Sequence, residues 1–199
     1  MSLDFESLLE AHQHPDFFFV QIGAHDGISG GDPIHEYVLH YRWHGVLVEP
    51  LPDVFQQLIV NYETQPQLRF ENAALTAHDG EVGFYRHPTS TDCSGLGVIT
   101  RIQKKSNMGL ITVPCLTWQT LCERHKIEHI DLLQIDVEGY DLALLRLINF
   151  SPKPSIIRFE FKNLPKEDLV TYPQFLATHG YQVEVVSKKD AVAWLPKVV

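Results

Sequence analysis

Cysteine, basic residues and long apolar runs are all scarce in this 199-residue chain, and each shortage removes a class of explanation. The three cysteines, Cys93, Cys115 and Cys122, are odd in number and show no C-x-x-C spacing. Neither a zinc ribbon nor a disulfide framework is therefore expected, and the thiols should be reduced. Lysine and arginine number 16 against 25 aspartates and glutamates, a formal charge of −9. That balance argues against a nucleic-acid partner, whose phosphates ask for a basic surface. No apolar stretch approaches the ~18 residues of a membrane helix, and no basic region leads into an apolar one at the start. The expectation is a cytoplasmic protein with no membrane partner. Histidine is plentiful, with 11 residues, but no pair has the H-E-x-x-H arrangement that puts two metal ligands on one helix face. Internal repeats and low-complexity tracts are also missing.

What is present is the composition of a globular α/β protein, 44% hydrophobic and 21% charged. The organisation expected is a short N-terminal helix within residues 1–15 and a single domain over 16–199. Phe17 to Ile22 reads as a strand buried on both faces, running into a glycine turn from Gly23 to Gly27. Asp32-Pro33 looks like an N-cap with proline at the first helical position, opening a helix to Tyr41. His44 to Glu49 is a second buried strand. A helix from Pro52 carries Val54, Phe55, Leu58 and Ile59 at helical spacing, and Leu68 to Leu75 gives a third strand.

This βαβαβ order is the first half of a doubly wound parallel sheet. The alternation then breaks. Glu81 to Tyr85 reads as an exposed hairpin strand, and residues 86–108 as a lid or substrate loop. Leu110 to Val113 restores regularity, and Thr117 caps a helix to His125. Ile130 to Ile135 and Ser155 to Phe161 are the fourth and fifth core strands, with a helix from Gly139 to Leu147 between them. A helical segment interrupted at Pro173 leads to a hairpin of Tyr181 to Val186 and Ala191 to Leu195.

In such a sheet the strand ends lie along one edge, where ligands bind. Asp26, Glu49 and Asp136 fall there, with Asn72 and Glu160 close by. Glu49, ending the second strand, sits where an acceptor-only carboxylate takes the two hydroxyls of a ribose. The spacing Gly23-x-x-x-Gly27 differs from the G-x-G-x-x-G of a dinucleotide turn. Asp26 inside it would repel a pyrophosphate yet accept from an ammonium group. A cationic nucleoside bearing an amino acid, S-adenosylmethionine, meets both conditions, whereas a nicotinamide-dependent oxidoreductase does not.

The segments IGAHDG (22–27), LVEP (47–50), NAAL (72–75) and IDLLQIDVEGYDLALL (130–145) resemble the FkbM-type S-adenosylmethionine-dependent methyltransferases. Ile135-Asp136-Val137-Glu138-Gly139 is the most specific piece, and the resemblance spans about Phe17 to Asn163. It implies the Rossmann-like seven-stranded methyltransferase fold, strand order 3-2-1-4-5-7-6 with the last strand antiparallel, and methyl transfer to a substrate oxygen. It also implies cofactor contacts from the first turn (Gln21, Gly23, Ala24, Asp26, Gly27), from Glu49 and Pro50, from Asn72 and Ala73, and from Asp136. Gln21 departs from the acidic residue that many methyltransferases use to anchor the turn, and His25 from a frequent asparagine.

The sulfonium already activates the methyl, so the protein must align an acceptor oxygen and remove its proton. Asp136, Glu160 and Asn163 form an all-oxygen set suited to Mg²⁺, which would lower the pKa of an acceptor hydroxyl. For Glu160 and Asn163, hydrogen bonding to the following helix explains the positions equally well. Glu138 reads as a structural residue, capping the Gly139 helix or holding its loop. His35 is a candidate base, although a surface or core histidine is the favoured reading. The expected acceptor is a hydroxyl of a small metabolite or sugar. Arg101, Lys104 and Lys105 hint that it is anionic, and a solvated loop explains that trio as well. The alternative is a catalytically silent methyltransferase-like domain that binds cofactor or a partner within a larger assembly.

Overall fold

Phe18 to Ile22 form the strand from which the sheet grows in both directions. In the computed structural model, which describes residues 4–88, 94–96 and 108–196, all five positions of this strand are buried. Along the chain the elements begin with α1 (Phe5–His12), β1 (Phe18–Ile22), α2 (His35–Tyr41), β2 (His44–Val48), α3 (Pro52–Asn61) and β3 (Leu68–Glu71). There follow β4 (Ala74–Leu75), β5 (Gly80–Arg86), β6 (Gly109–Leu116), α4 (Trp118–His125), β7 (Leu132–Ile135) and α5 (Asp141–Leu147). The last are β8 (Ile156–Glu160), α6 (Lys166–Thr178), β9 (Gln182–Val185) and β10 (Asp190–Trp194).

Seven strands form one sheet in the order β3-β2-β1-β7-β8-β10-β9. The first five are mutually parallel, and β10 runs antiparallel to both neighbours. In counting order this is 3-2-1-4-5-7-6, the α/β Rossmann-like methyltransferase topology. Both faces are covered, which is why the central strands read as continuous apolar runs. Val20, Val46, Leu133 and Ile157 pack against Trp118, Leu121, Leu142 and Leu176 on one side. Phe19, Leu47, Leu132 and Ile156 pack against Leu8, Val38 and Leu58 on the other.

The third expected strand is in fact two. The chain leaves the large sheet after Glu71, and Ala74–Leu75 joins a second sheet, β4-β6-β5. Its pairing with Cys115 and Leu116 is a contact forty residues away that local pattern does not encode. Phe84, Val113 and Cys115 of this sheet pack on Leu51 and Val54, setting it beside the C-terminal end of β2. Most of the expected lid, with Arg101, Lys104, Lys105 and Cys93, lies outside the described residues.

Smaller departures have local causes. Helix α2 starts at His35 rather than Pro33, although Asp32 Oδ1 makes the expected cap bonds, accepting from the backbone N–H groups of Ile34 (2.9 Å) and His35 (3.0 Å). Helix α6 runs through Pro173 without interruption. Tyr172 and Leu176 hold it on the core, and that burial offsets the lost backbone bond. Thr117 caps α4 as expected, accepting from Thr120 N–H at 3.1 Å. Among the described residues no helix is long and apolar enough to cross a membrane.

Candidate functional site

Strand register places the site. Ile22 pairs with Val48 and with Ile135, and Ile135 pairs with Phe159. The next residue of each strand is therefore delivered to one edge side by side: Gly23, Glu49, Asp136 and Glu160. All four line a cavity of about 330 Å³, a volume in the range of small-molecule sites. One end is walled by Glu49, by Ala73, by Leu75 and Phe84 of the second sheet, and by Ser94 and Leu96, which flank the Gly95 bridge to Tyr85. At the other stand Asp136, Glu138, Tyr140, Glu160 and Lys189.

The turn after β1 is held from three directions. Its first N–H groups, from Gly23 and Ala24, both donate to the Val48 carbonyl at 3.0 Å. Gly23 has φ +78°, and a Cβ there would meet the Asp136 backbone oxygen at 1.9 Å, so this glycine lets the ends of β1 and β7 touch. Gly27, at φ +76°, lies against Tyr62, whose ring a Cβ would approach to 2.3 Å. The Tyr62 hydroxyl donates to Gly27 O at 3.1 Å and also meets His35 Nδ1 at 2.9 Å, while Asn61 Nδ2 donates to Asp26 O at 2.8 Å.

Several expected site residues thus hold the site rather than line it. Asp26 does not line the cavity, because its Oδ1 accepts from the N–H groups of Ile28 (3.0 Å) and Ser29 (2.7 Å) and its Oδ2 from the Ser29 hydroxyl. Partial burial opposes ionisation, but these bonds prevail and lower its carboxyl to about 2. Gly27 and His35 are also outside the lining, and His35 Nδ1 lies 2.9 Å from the Tyr62 hydroxyl. Asn72 turns its amide onto the carbonyls of Glu49 (2.8 Å) and Pro50 (3.2 Å), so it fixes the end of β2. Gln21, Gly23, Ala24, Glu49, Pro50, Ala73, Asp136 and Glu160 do line the cavity.

Glu49 is 5% exposed. Its Oε2 accepts from His25 N–H at 3.0 Å and its Oε1 from Leu51 N–H at 2.9 Å, which aims the carboxylate along the cavity wall. Burial raises its pKa to about 7 despite those bonds. The anchoring carboxylate missing at position 21 comes from the other direction: Gln21 Nε2 donates to Asp32 Oδ2. Asp32, itself raised by burial, was visible in the sequence only as a helix cap.

The far end is acidic. Asp136 faces the cavity with its pKa raised to about 6, first by the surrounding protein and then by the Glu160 and Asp190 carboxylates. Glu160 is raised by burial, against the bond from Asn163. Glu138 joins them, with one oxygen of each of Asp136, Glu138 and Glu160 within 4.8 Å of the others. It arrives there because its backbone is left-handed (φ +53°) ahead of Gly139 (φ +91°), which turns the side chain back over β8. Asn163 Nδ2 bridges Glu138 Oε2 (2.9 Å) and Glu160 Oε2 (2.7 Å). Asp141, fully buried, accepts from Gly139 N–H and from Glu160 N–H, each at 3.2 Å, and ties the two acid-bearing segments together. Sequence reasoning missed Glu138 as a cavity residue; its glutamate-glycine pair after a strand was the available signal.

Residues 21–183 match the family model of the methyltransferase FkbM domain. No curated protein matches the chain. Among solved structures, the N-terminal domain of human METTL16 superposes with a TM-score of 0.53 at 10% identity, covering 96% of this chain and 66% of that one. A fibrillarin/Nop5p complex gives 0.51 at 11% identity over 94% and 77% of the two chains. A human methyltransferase 10 domain containing protein gives 0.50 at 10% identity over 96% and 79%. At such identities these likenesses establish the fold alone.

Proposed function

The chain belongs to the FkbM methyltransferase family, and from that premise we propose that it moves the methyl of S-adenosylmethionine onto a hydroxyl oxygen of a small metabolite or sugar. The cofactor occupies the cavity from Phe84 to Asp136. Glu49 receives the ribose hydroxyls on the lone pairs its two backbone partners leave free. Ala73 and Leu75, with Phe84 and Leu96 opposite, offer apolar contact to the base. Gly23 and Ala24 bring backbone against the methionine portion, and Gln21, with Asp32 behind it, faces the same space.

The acceptor lies at the acidic end. A neutral hydroxyl attacks a sulfonium poorly unless its proton is taken as the bond forms. The observation that carries the oxygen assignment is Asp136, in backbone contact with the cofactor turn and carrying a pKa of about 6, near that of an effective base at neutral pH. As the acceptor oxygen bonds to the methyl carbon, the carbon–sulfur bond breaks, the electron pair stays on sulfur, and the proton passes to Asp136. The products are a methyl ether, S-adenosylhomocysteine and protonated Asp136.

The test is incubation with isotope-labelled S-adenosylmethionine and a panel of sugars and hydroxylated metabolites, with the methylated atom located by NMR. Methyl on nitrogen or carbon would sink the oxygen assignment. Failure of S-adenosylhomocysteine to bind in calorimetry would sink the cofactor assignment.

A further inference from the structure

Three polar side chains stand in one row across the large sheet. Gln21 on β1 is in register with Gln134 on β7, and Gln134 with Arg158 on β8. Each lies two residues beyond Phe19, Leu132 or Ile156, and so continues the face that packs against Leu8 and Val38. Strands in a sheet are about 4.8 Å apart, which sets these side chains next to one another, and all three line the cavity.

Gln21 is 4% exposed and Gln134 1%, yet the Oε1 of each has no hydrogen-bond partner among the described residues. Donors stand beside both and are engaged elsewhere. Gln21 Nε2 donates to Asp32 Oδ2 rather than across to Gln134. Arg158 is paired with Asp190 at 2.9 Å, and its guanidinium lies 5.4 Å from the centre of the Phe5 ring. Two adjacent amide oxygens, both buried and both without a donor, call for an occupant that supplies donors.

We propose that Gln21 and Gln134 together receive the α-ammonium group at the amino-acid end of the cofactor, each amide oxygen accepting one of its N–H bonds. The choice of this ligand rests on the methyl-transfer reading. An ammonium group has donors and no acceptor, so it complements a pair of oxygens. A carboxylate would offer two oxygens from one residue; here two strands contribute one each. Asp32, bonded to the Gln21 nitrogen, turns the Gln21 oxygen away from itself. Gly23 and Ala24, which take the methionine portion, follow Gln21 almost directly along the chain. Charge agrees, since carboxylates outnumber the cations Arg158 and Lys189 among the described residues lining the cavity. A structural water is the competing occupant.

Calorimetry with three ligands separates the two. These are S-adenosylhomocysteine, its analogue lacking only the α-amino group, and 5′-methylthioadenosine, which has no amino-acid end. The native chain should bind S-adenosylhomocysteine roughly 10- to 150-fold more tightly than the desamino analogue. Gln134→Met removes the oxygen at nearly constant volume and should lose most of that preference, with binding of the other two ligands unchanged within about twofold. Gln134→Glu keeps acceptor oxygens at the position and should recover the preference. Equal affinity of the native chain for S-adenosylhomocysteine and the desamino analogue overturns the proposal. So does a loss in Gln134→Met that is the same for all three ligands, the result expected if the pair holds only a water. Failure of the native chain to bind any of the three overturns the cofactor reading, and with it this ligand for the pair.

Discussion

The α-carbon of Gly23 lies so close to the carbonyl of Asp136 that a methyl group there would sit 1.9 Å from the oxygen. The cofactor turn and the acidic strand end are thus one packed unit. Movement at either one is felt at the other.

Gly23→Ala should abolish S-adenosylhomocysteine binding and lower the melting temperature, since both the clash and the left-handed backbone oppose it. Gly30→Ala is the matched control. Gly30 shares the left-handed φ (+75°) but has nothing within 4 Å of its would-be Cβ. It should cost only the conformational penalty, ~1–2 kcal/mol. Equal effects of the two in thermal unfolding would show that the contact with Asp136 does not matter.

Glu49→Gln replaces two acceptor oxygens by one acceptor and one donor. Cofactor affinity should fall by roughly 1.5–3 kcal/mol, about 10- to 150-fold. Ribose hydroxyls favour the ionised form of Glu49, whose pKa in the empty cavity is about 7. Affinity in the native chain should therefore decline as pH drops below 7, and the variant should lose that dependence. Calorimetry from pH 5.5 to 8 reads both.

Asp26 separates two roles for one carboxylate. If it holds the turn, Asp26→Asn keeps an oxygen for Ile28 and Ser29 and should bind cofactor nearly as well as the native chain. Asp26→Ala should then lose roughly tenfold, ~1.4 kcal/mol. If the two substitutions are equally damaging, the charge itself meets the ligand.

The cofactor-free protein should be more stable near pH 5.5 than near pH 8. Glu49 (about 7) and Asp136 (about 6) titrate above their unfolded values, as do Asp32, Asp141 and Glu160. The folded chain therefore binds more protons in this window, and stability falls as pH rises through it. Glu49 alone, moved from 4.5 to about 7, accounts for on the order of 2 kcal/mol between those two pH values. Saturating S-adenosylhomocysteine should narrow the difference. A melting temperature that rises steadily from pH 5.5 to 8 would contradict these shifts.

The buried strands were legible because both faces of the large sheet are covered, which forces apolar runs such as Phe17 to Val20. Glu49, Asp136 and Glu160 were legible because a parallel sheet delivers strand ends to one edge. What the sequence hid depends on distant partners. Leu68 to Leu75 reads as one strand, and only pairing with Cys115 and Leu116 divides it. Asp26 looked like a ligand residue because its bonds to Ile28 and Ser29 require the folded turn. Asp32 and Glu138 were assigned local duties because nothing in the sequence brings Gln21 or Glu160 to them.

The hairpin of β5 and β6 pairs Arg86 with Gly109, so the connection between them starts and finishes at neighbouring points. Lengthening a segment anchored in that way costs little, about 0.6 kcal/mol for each doubling. Gly23, Glu49 and Asp136 stand at the ends of other strands, so their places do not depend on the length of that connection. On the methyl-transfer reading proposed above, the junction at Arg86 and Gly109 is where descent or design can alter the chain without displacing those three residues.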